Sequence, residues 1–378
     1  MGTFILGAGF SRPADLPLGN DLFPEIISLA KEQGLFHLLE DDIEHYCNYF
    51  RRTRGKNLKE KDINFEEFIS YLDIEHYLTL EGSDHFSGEG NRSQLIVKNC
   101  IALLLFLREQ VVTEIQWSLY EDFVGRLEPN DWIFTFNYDT ILEKVFEKKN
   151  TPYRLFPTRY ERDGSGIVDN EKDEIVLLKM HGSINWFDST YSKESTRRLR
   201  EQFGNDVQPY NIIFKHPDVY KAKKLVDSPG YEDSPLKNIY IVENLGKYFQ
   251  ESGFILEVPL IISPSYNKLV YLNPLKEFWW GFNQMGSFEK RVAVIGFSLP
   301  EHDEYIRQPL YHLIRNFQYY KGIEKHNLKM IDLQESLEGV EGYKKKYQFV
   351  NFDKTDFYFD GFDQRALDII FDDKHDED

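Results

Sequence analysis

Five short stretches each place a polar side chain directly behind an apolar run: GAGFS (7–11), FNYDT (136–140), HGSINW (181–186), GFSLPEHD (296–303) and Ile331-Asp332-Leu333. Four of the five combine glycine or another small residue with a polar group. Glycine permits positive φ and close approach of the backbone. Gly7, Ala8 and Gly9, with Ser11, therefore form a loop whose amides and hydroxyl could bond phosphate oxygens. The plainer reading is a tight strand-to-helix turn that holds nothing. Arg12 stands where the dinucleotide fingerprint G-x-G-x-x-G has its third glycine. It either adds charge to a phosphate or faces solvent.

Asn137 ends a mostly apolar run, and Tyr138-Asp139 open the next helical pattern. Asn and Asp are common helix caps, yet a neutral amide at a strand end also orients a ribose hydroxyl or an attacking water. His181 follows EIVLLKM directly and precedes Gly182-Ser183. A lone histidine is usually structural; at a strand end beside a nucleotide pocket it becomes a general base. Gly296 and Ser298 repeat the logic of the first loop. Asp303 fits both a ligand contact and a favourable charge in a first helical turn. Asp332 is placed to accept hydrogen bonds from ribose hydroxyls, as an acidic strand-end residue does in dinucleotide folds.

The elements that must position these groups are legible. Strand-like runs occupy 2–7, 131–137, 174–180, 258–263, 291–298 and 327–333, and helical patterns at 138–149, 273–286 and 301–318 intervene. Uniformly apolar strands alternating with helices predict an α/β fold, a Rossmann-like parallel sheet with helices on both faces. In such sheets ligands bind outside the carboxyl ends of the strands, where the five stretches lie. Residues 21–129 read as an inserted helical subdomain, interrupted by the glycine-rich linker 81–93. This leaves 1–20 and 130–372 for the nucleotide-binding domain, with 187–250 as an irregular insertion and 373–378 as an acidic tail.

Composition narrows the function classes. The formal charge is −18 and the pI near 5.1, so direct binding to a nucleic-acid backbone is not expected. Cys47 and Cys100 are the only cysteines. They cannot build a four-cysteine zinc site, no metal is expected, and the chain fits a reducing cytoplasm. The longest apolar run, IALLLFL (101–107), is too short to span a bilayer. No charged-then-apolar leader precedes the first strand, and Leu6 breaks the myristoylation pattern, so no membrane association is expected.

Taken together, GAGFS, Pro17, FNYDTILE (136–143), HGSINW and GFSLPEHD resemble the sirtuin superfamily, in particular its bacterial SIR2-like branch used in antiphage defence. The resemblance implies an NAD+ site with Asn137 and His181 as the catalytic pair. Gly7, Ala8, Gly9, Ser11, Gly296, Ser298 and, more weakly, Asp332 become NAD+ contacts. Protein-deacylating sirtuins carry a four-cysteine zinc module and acidic and arginine residues after the loop's proline; here Leu18-Gly19-Asn20 follow Pro17. The defence branch replaces the zinc module with helices and hydrolyses NAD+, as a substrate, to nicotinamide and ADP-ribose. In size the chain is similar to the stand-alone SIR2 subunit of systems that pair it with a HerA-type hexameric ATPase, which implies a homo-oligomer with such a partner. The alternatives are a non-catalytic module binding NAD+ or ADP-ribose, and a dehydrogenase, which normally keeps the third glycine.

Overall fold

GTFIL, RVAVI and IVLLK carry no polar–apolar alternation, and each strand they form is buried along almost its whole length. Strands of this kind require cover on both faces, which a parallel sheet flanked by helices provides. A computed structural model of the chain describes residues 1–80, 90–157, 161–162, 167–168, 173–204, 213–226, 234–251, 257–279, 282, 285–300, 302–323 and 325–371. The acidic tail 373–378 and most of the linker 81–93 lie outside the described residues.

Seven parallel strands form the main sheet: β1 (Gly2–Leu6), β2 (Trp132–Thr135), β3 (Tyr153–Arg154), β6 (Ile175–Lys179), β10 (Arg291–Ile295), β11 (Leu328–Ile331) and β12 (Thr355–Tyr358). Their order is β12-β11-β10-β1-β2-β6-β3. Two-residue strands β4 (Glu161–Arg162) and β5 (Ile167–Val168) pair antiparallel. A three-stranded antiparallel sheet joins β7 (Trp186–Asp188), β8 (Ala222–Lys224) and β9 (Ile239–Val242). The chain begins in the middle of the main sheet, builds toward β3, then returns to the other side of β1 with β10. The direction therefore reverses between β1 and β10. At that register Leu6 faces Ile295 on one side and Thr135 on the other. The fold is Rossmann-like.

Three local readings change. The strand β12 was not anticipated, because TDFY is half-buried at its two central positions and does not read as an apolar run. The run 258–263 does not join the main sheet: it lies against the HGS turn, bridging Gly182 to Ile261, with Ser183 N–H on the Leu260 carbonyl and Ile262 N–H on that of His181. The described residues of 273–286 do not form an α-helix. Pro274 lacks an amide proton, and the chain instead makes 3₁₀ turns at Lys268–Tyr271 and Leu275–Trp279.

Between β1 and β2 run α1 (Ala8–Ser11), α2 (Gly19–Glu32), α3 (Glu40–Arg54), α4 (Phe65–Tyr77), α5 (Arg92–Glu109) and α6 (Glu114–Gly125). Their starts are written in the sequence. Asn64 caps α4, and reciprocal capping boxes, Asn91 with Gln94 and Thr113 with Gln116, open α5 and α6. Further helices are α7 (Ile141–Lys149), α8 (Ser189–Phe203), α9 (Pro217–Tyr220), α10 (Leu245–Glu251), α11 (Glu304–Tyr319), α12 (Leu337–Lys346) and α13 (Gln364–Phe371). Among the described residues no helix is long and apolar enough to cross a membrane.

An aromatic knot ties α6 and α13 to the central strand. Phe123, fully buried, meets Phe4, Phe10, Phe362 and Phe371 with ring centroids 5.2–6.0 Å apart, edge to face in each case. Phe10 and Phe362 sit next to Gly9 and Gly361, so the knot also fixes the loops at the sheet's carboxyl edge. Phe123→Ala should cost about 3–5 kcal/mol, read as a lower denaturation midpoint in guanidinium; an unchanged midpoint would show that the knot does not hold these layers together.

Candidate active site

Parallel pairing brings the carboxyl ends of all these strands to one edge. Along it stand, in spatial order, Asp360 after β12, Asp332 after β11, Gly296 after β10, the GAGFS loop after β1, Asn137 after β2 and His181 after β6. Neighbouring strands lie about 4.8 Å apart, so Asn137 and His181 stand on adjacent strand ends.

The two glycine loops press against each other. The N–H groups of Gly7 and Gly9 donate to the carbonyls of Ile295 (3.0 Å) and Gly296 (2.9 Å), and Phe10 N–H donates to the Gly7 carbonyl (3.0 Å). A Cβ on Gly9 would lie 2.7 Å from Gly296 Cα. Gly296 has φ +61°, and a Cβ there would strike the Phe10 amide. The expectation that the GAGFS amides receive phosphate oxygens is therefore corrected for Gly7, Gly9 and Phe10. Their donors are spent on the loop itself and on the neighbouring strand end. Ser11 is likewise turned inward: it is 2% exposed and its hydroxyl donates to Asp139 Oδ2 at 2.7 Å.

Beside this seam lies a cavity of about 260 Å³, lined by Gly9, Arg12, Gly296, Asp332, Asp360 and Phe362 among others. Gly9, Gly296 and Asp332 thus come together at the point where the chain reverses direction, and Arg12 faces the same space. Ala8 and Ser298 are exposed and stand outside the cavity lining. The Asp332 carboxylate accepts from Leu333 N–H (2.9 Å) and Gln334 Nε2 (3.1 Å), while burial raises its pKa above the usual carboxylate range. Asp360, Gly361 and Phe362 were missed together with β12.

Asn137 is held from two sides. Its Nδ2 donates to the Gly7 carbonyl and to Ser11 Oγ, both at 2.9 Å. Both amide protons are thereby used, and Oδ1 has no partner among the described residues. Ser11 passes the chain on to Asp139, whose other oxygen accepts from Ile141 N–H at 3.2 Å, a residue of the cap role expected from sequence. Beneath them the fully buried Lys179 bonds the Asp139 carbonyl and, at 2.7 Å, Glu143. Burial pushes the Asp139 carboxyl up to about 6, against the pull of Lys179 and the Ser11 hydrogen bond; Glu109 and Glu143 push the same way as burial.

His181 is 6% exposed. Burial, and then the charge of Lys268, hold its pKa well below the usual imidazole value, a hydrogen bond to the Phe136 backbone opposing them. The ring is neutral at neutral pH. Its Nε2 lies 2.6 Å from the Tyr305 hydroxyl, and Phe136 packs against it edge-on with centroids 5.1 Å apart. Asp303 is a buried partner of Lys268 (2.7 Å), and both side chains are 5% exposed. Tyr305 was not singled out from the sequence, although it follows Asp303 by two residues. Among the described residues no group of three or more His, Cys, Asp or Glu is placed to hold a metal ion.

Residues 131–219 match the family model of the SIR2-like domain. That SIR2-like segment carries both Asn137 and His181. Among solved structures, the chain is similar to a SIR2 protein in complex with the inhibitor EX-527, 2'-O-acetyl-ADP-ribose and a deacetylated p53 peptide. The identity is 10%, the TM-score 0.32, and the match covers 98% of this chain and 90% of that one. No curated protein sequence matches the chain significantly.

The buried Asp139 gives the site a pH signature. Its folded-state pKa of about 6 lies above the unfolded value near 3.9, so ionising it costs stability as pH rises from 4 through 6. Asp139→Asn keeps an acceptor for Ser11 and does not titrate. Between pH 4 and pH 8 the stability of D139N should improve relative to the unsubstituted chain by about 2.5 kcal/mol. Denaturant midpoints at several pH values measure this, and a pH-independent difference would contradict it.

Proposed function

We propose that the chain hydrolyses NAD+ at the N-glycosidic bond, releasing nicotinamide and ADP-ribose. The observation that carries this reading is the pairing of a neutral, buried imidazole with an anchored amide whose carbonyl oxygen has no partner among the described residues, on adjacent strand ends along the same sheet edge as the cavity. The SIR2-like match over the segment that holds both residues supports it.

In this reading Arg12 meets the pyrophosphate, and Asp332 and Asp360 accept from ribose hydroxyls. Gly9 and Gly296 form the floor, while Gly7 and Ser11 act by holding Asn137 rather than by touching phosphate. Ala8 and Ser298 contact the dinucleotide at the exposed rim. As the bond from C1′ to the pyridinium nitrogen breaks, its electron pair goes to nicotinamide, and positive charge moves onto the sugar as an oxocarbenium-like centre. Asn137 Oδ1, the negative end of a fixed dipole, faces that charge or the attacking water without adding a counter-ion that would have to be desolvated. Rigid placement of ribose and water lowers the remaining barrier. The water's proton passes to His181. A weak base suffices there, because water bound to an oxocarbenium carbon is strongly acidic.

The resemblance of the motifs to the antiphage branch extends the proposal: a cytoplasmic homo-oligomer that depletes NAD+ together with a HerA-type hexameric ATPase, with no part for nucleic acid or membrane. Helices at 21–129 then stand where protein-deacylating sirtuins carry their zinc module.

Purified protein mixed with NAD+ should release nicotinamide, measured by chromatography. His181→Ala should lower that release on the order of 10²–10⁴-fold, and Asn137→Ala at least as far, with little change in melting temperature. Binding of NAD+ without nicotinamide release would favour a non-catalytic NAD+ or ADP-ribose module, and His181→Ala at the original rate would remove His181 from the chemistry.

A further inference from the structure

The Nε2 of His181 is covered by the Tyr305 hydroxyl at 2.6 Å. A hydrogen bond to the Phe136 backbone opposes the lowering of the ring's pKa. Through Nε2 the histidine meets a substrate or water only by way of Tyr305. Of the two partners only Tyr305 has a group that transmits a proton: a backbone carbonyl accepts, whereas a phenol donates with its hydrogen and accepts with its oxygen at once. Tyr305 is also the less buried of the pair, half-buried against 6% exposed for His181.

Its position in the fold fits this part. Tyr305 sits in the first turn of α11, after β10, yet its hydroxyl meets a residue at the end of β6. Between β10 and β6 lie β1 and β2, so the tyrosine reaches across the strand ends that carry GAGFS and Asn137. Trp279 packs on the tyrosine ring (5.4 Å), and Phe297 stacks on Phe136 (4.7 Å), closing the apolar surround.

We infer that Tyr305 is the proton relay of this site: its hydroxyl, not the imidazole, meets the attacking water, and His181 acts from behind it. This rests on the proposed NAD+ hydrolysis. As the water oxygen bonds to C1′, its proton moves to the phenol oxygen while the phenol's own proton moves to His181 Nε2. The imidazolium then returns that proton to solvent, and the balance is NAD+ and water giving nicotinamide, ADP-ribose and a proton. Desolvation and the nearby Asp303 keep the phenol protonated in the resting site, so it is set to donate toward the imidazole. The charged groups around the ring, Lys268, Asp303 and Glu66, are paired among themselves, Lys268 lying 2.7 Å from Asp303 and 3.8 Å from Glu66.

The test is Tyr305→Phe, which keeps the ring and removes the relay. NAD+ turnover should fall on the order of 10²-fold or more, with KM changed less than threefold. His181→Ala combined with Y305F should be no slower than the slower single variant, because two groups in one relay lose the same step. Diethylpyrocarbonate should modify His181 slowly in the unsubstituted chain and several-fold faster in Y305F, where Nε2 is uncovered. Should Y305F fail to fold, 3-fluorotyrosine at position 305 preserves the shape, and its more acidic phenol should shift the pH dependence of turnover. Y305F turning over as fast as the unsubstituted chain, additive losses in the double variant, or equal His181 reactivity would each overturn the relay. Failure of the parent reading shows separately, as absence of nicotinamide from the unsubstituted chain.

Discussion

The backbone contact between the GAGFS loop and Gly296 is the constraint on which the rest of the carboxyl edge depends. Two parallel strands, β1 and β10, end side by side, and the loops that follow them lie too close for any side chain to separate them. Gly9 N–H closes onto the Gly296 carbonyl, and Phe10 turns down into the aromatic knot. Everything nearby inherits its position from this seam. The Gly7 carbonyl is presented to Asn137, Ser11 is buried against Asp139, and Arg12 emerges along the wall of the cavity. A larger residue at either loop would move the anchor of Asn137 before it touched any ligand.

A second level of order is electrostatic. The groups nearest the proposed chemistry, Asn137, Ser11, Tyr305 and His181, are neutral at neutral pH, and the charges behind them are compensated in pairs. Lys179 is matched by Glu143, Lys144 by Glu109, and Lys268 by Asp303. Burying such pairs is costly, and they do not by themselves argue for stability. What they do here is local: Lys268 adds to burial in keeping His181 neutral, and Lys179 partly offsets the burial of Asp139. A neutral front row is consistent with a reaction in which positive charge moves from a pyridinium to a sugar, since none of these four groups is a cation.

Much of this was legible in the sequence, and the misses have physical reasons. Strands buried on both faces announce themselves as apolar runs, so β1, β2, β6, β10 and β11 were found within a few residues. β12 was not, since its half-exposed TDFY lacks that signature. Asn137, His181 and Asp332 were visible because a polar residue closing an apolar run is conspicuous. Their partners were not. Tyr305 lies 124 residues from His181, and Ser11 lies 128 from Asp139; no local pattern encodes such a meeting. The glycines were noticed for the right property, but freedom for close approach does not say what will arrive; here Gly9 and Gly296 meet each other and also line the cavity.

The same reasoning bears on the missing third glycine of the fingerprint. In a dinucleotide fold that glycine allows the helix after the first loop to pack closely against its strand. Here α1 lasts four residues and gives way at once to a 3₁₀ turn at Arg12–Ala14, so there is no long helix whose approach must be accommodated. The position is free to carry a side chain, and the one it carries is a cation lining the cavity opposite Asp332 and Asp360. With the Gly7, Gly9 and Phe10 amides turned inward, this arginine, on the proposed reading, supplies to an anionic ligand what those amides no longer offer. On the proposed reading, Arg12 and the inward-turned loop are two sides of one arrangement: the backbone secures Asn137, and the charge on the ligand is left to a side chain.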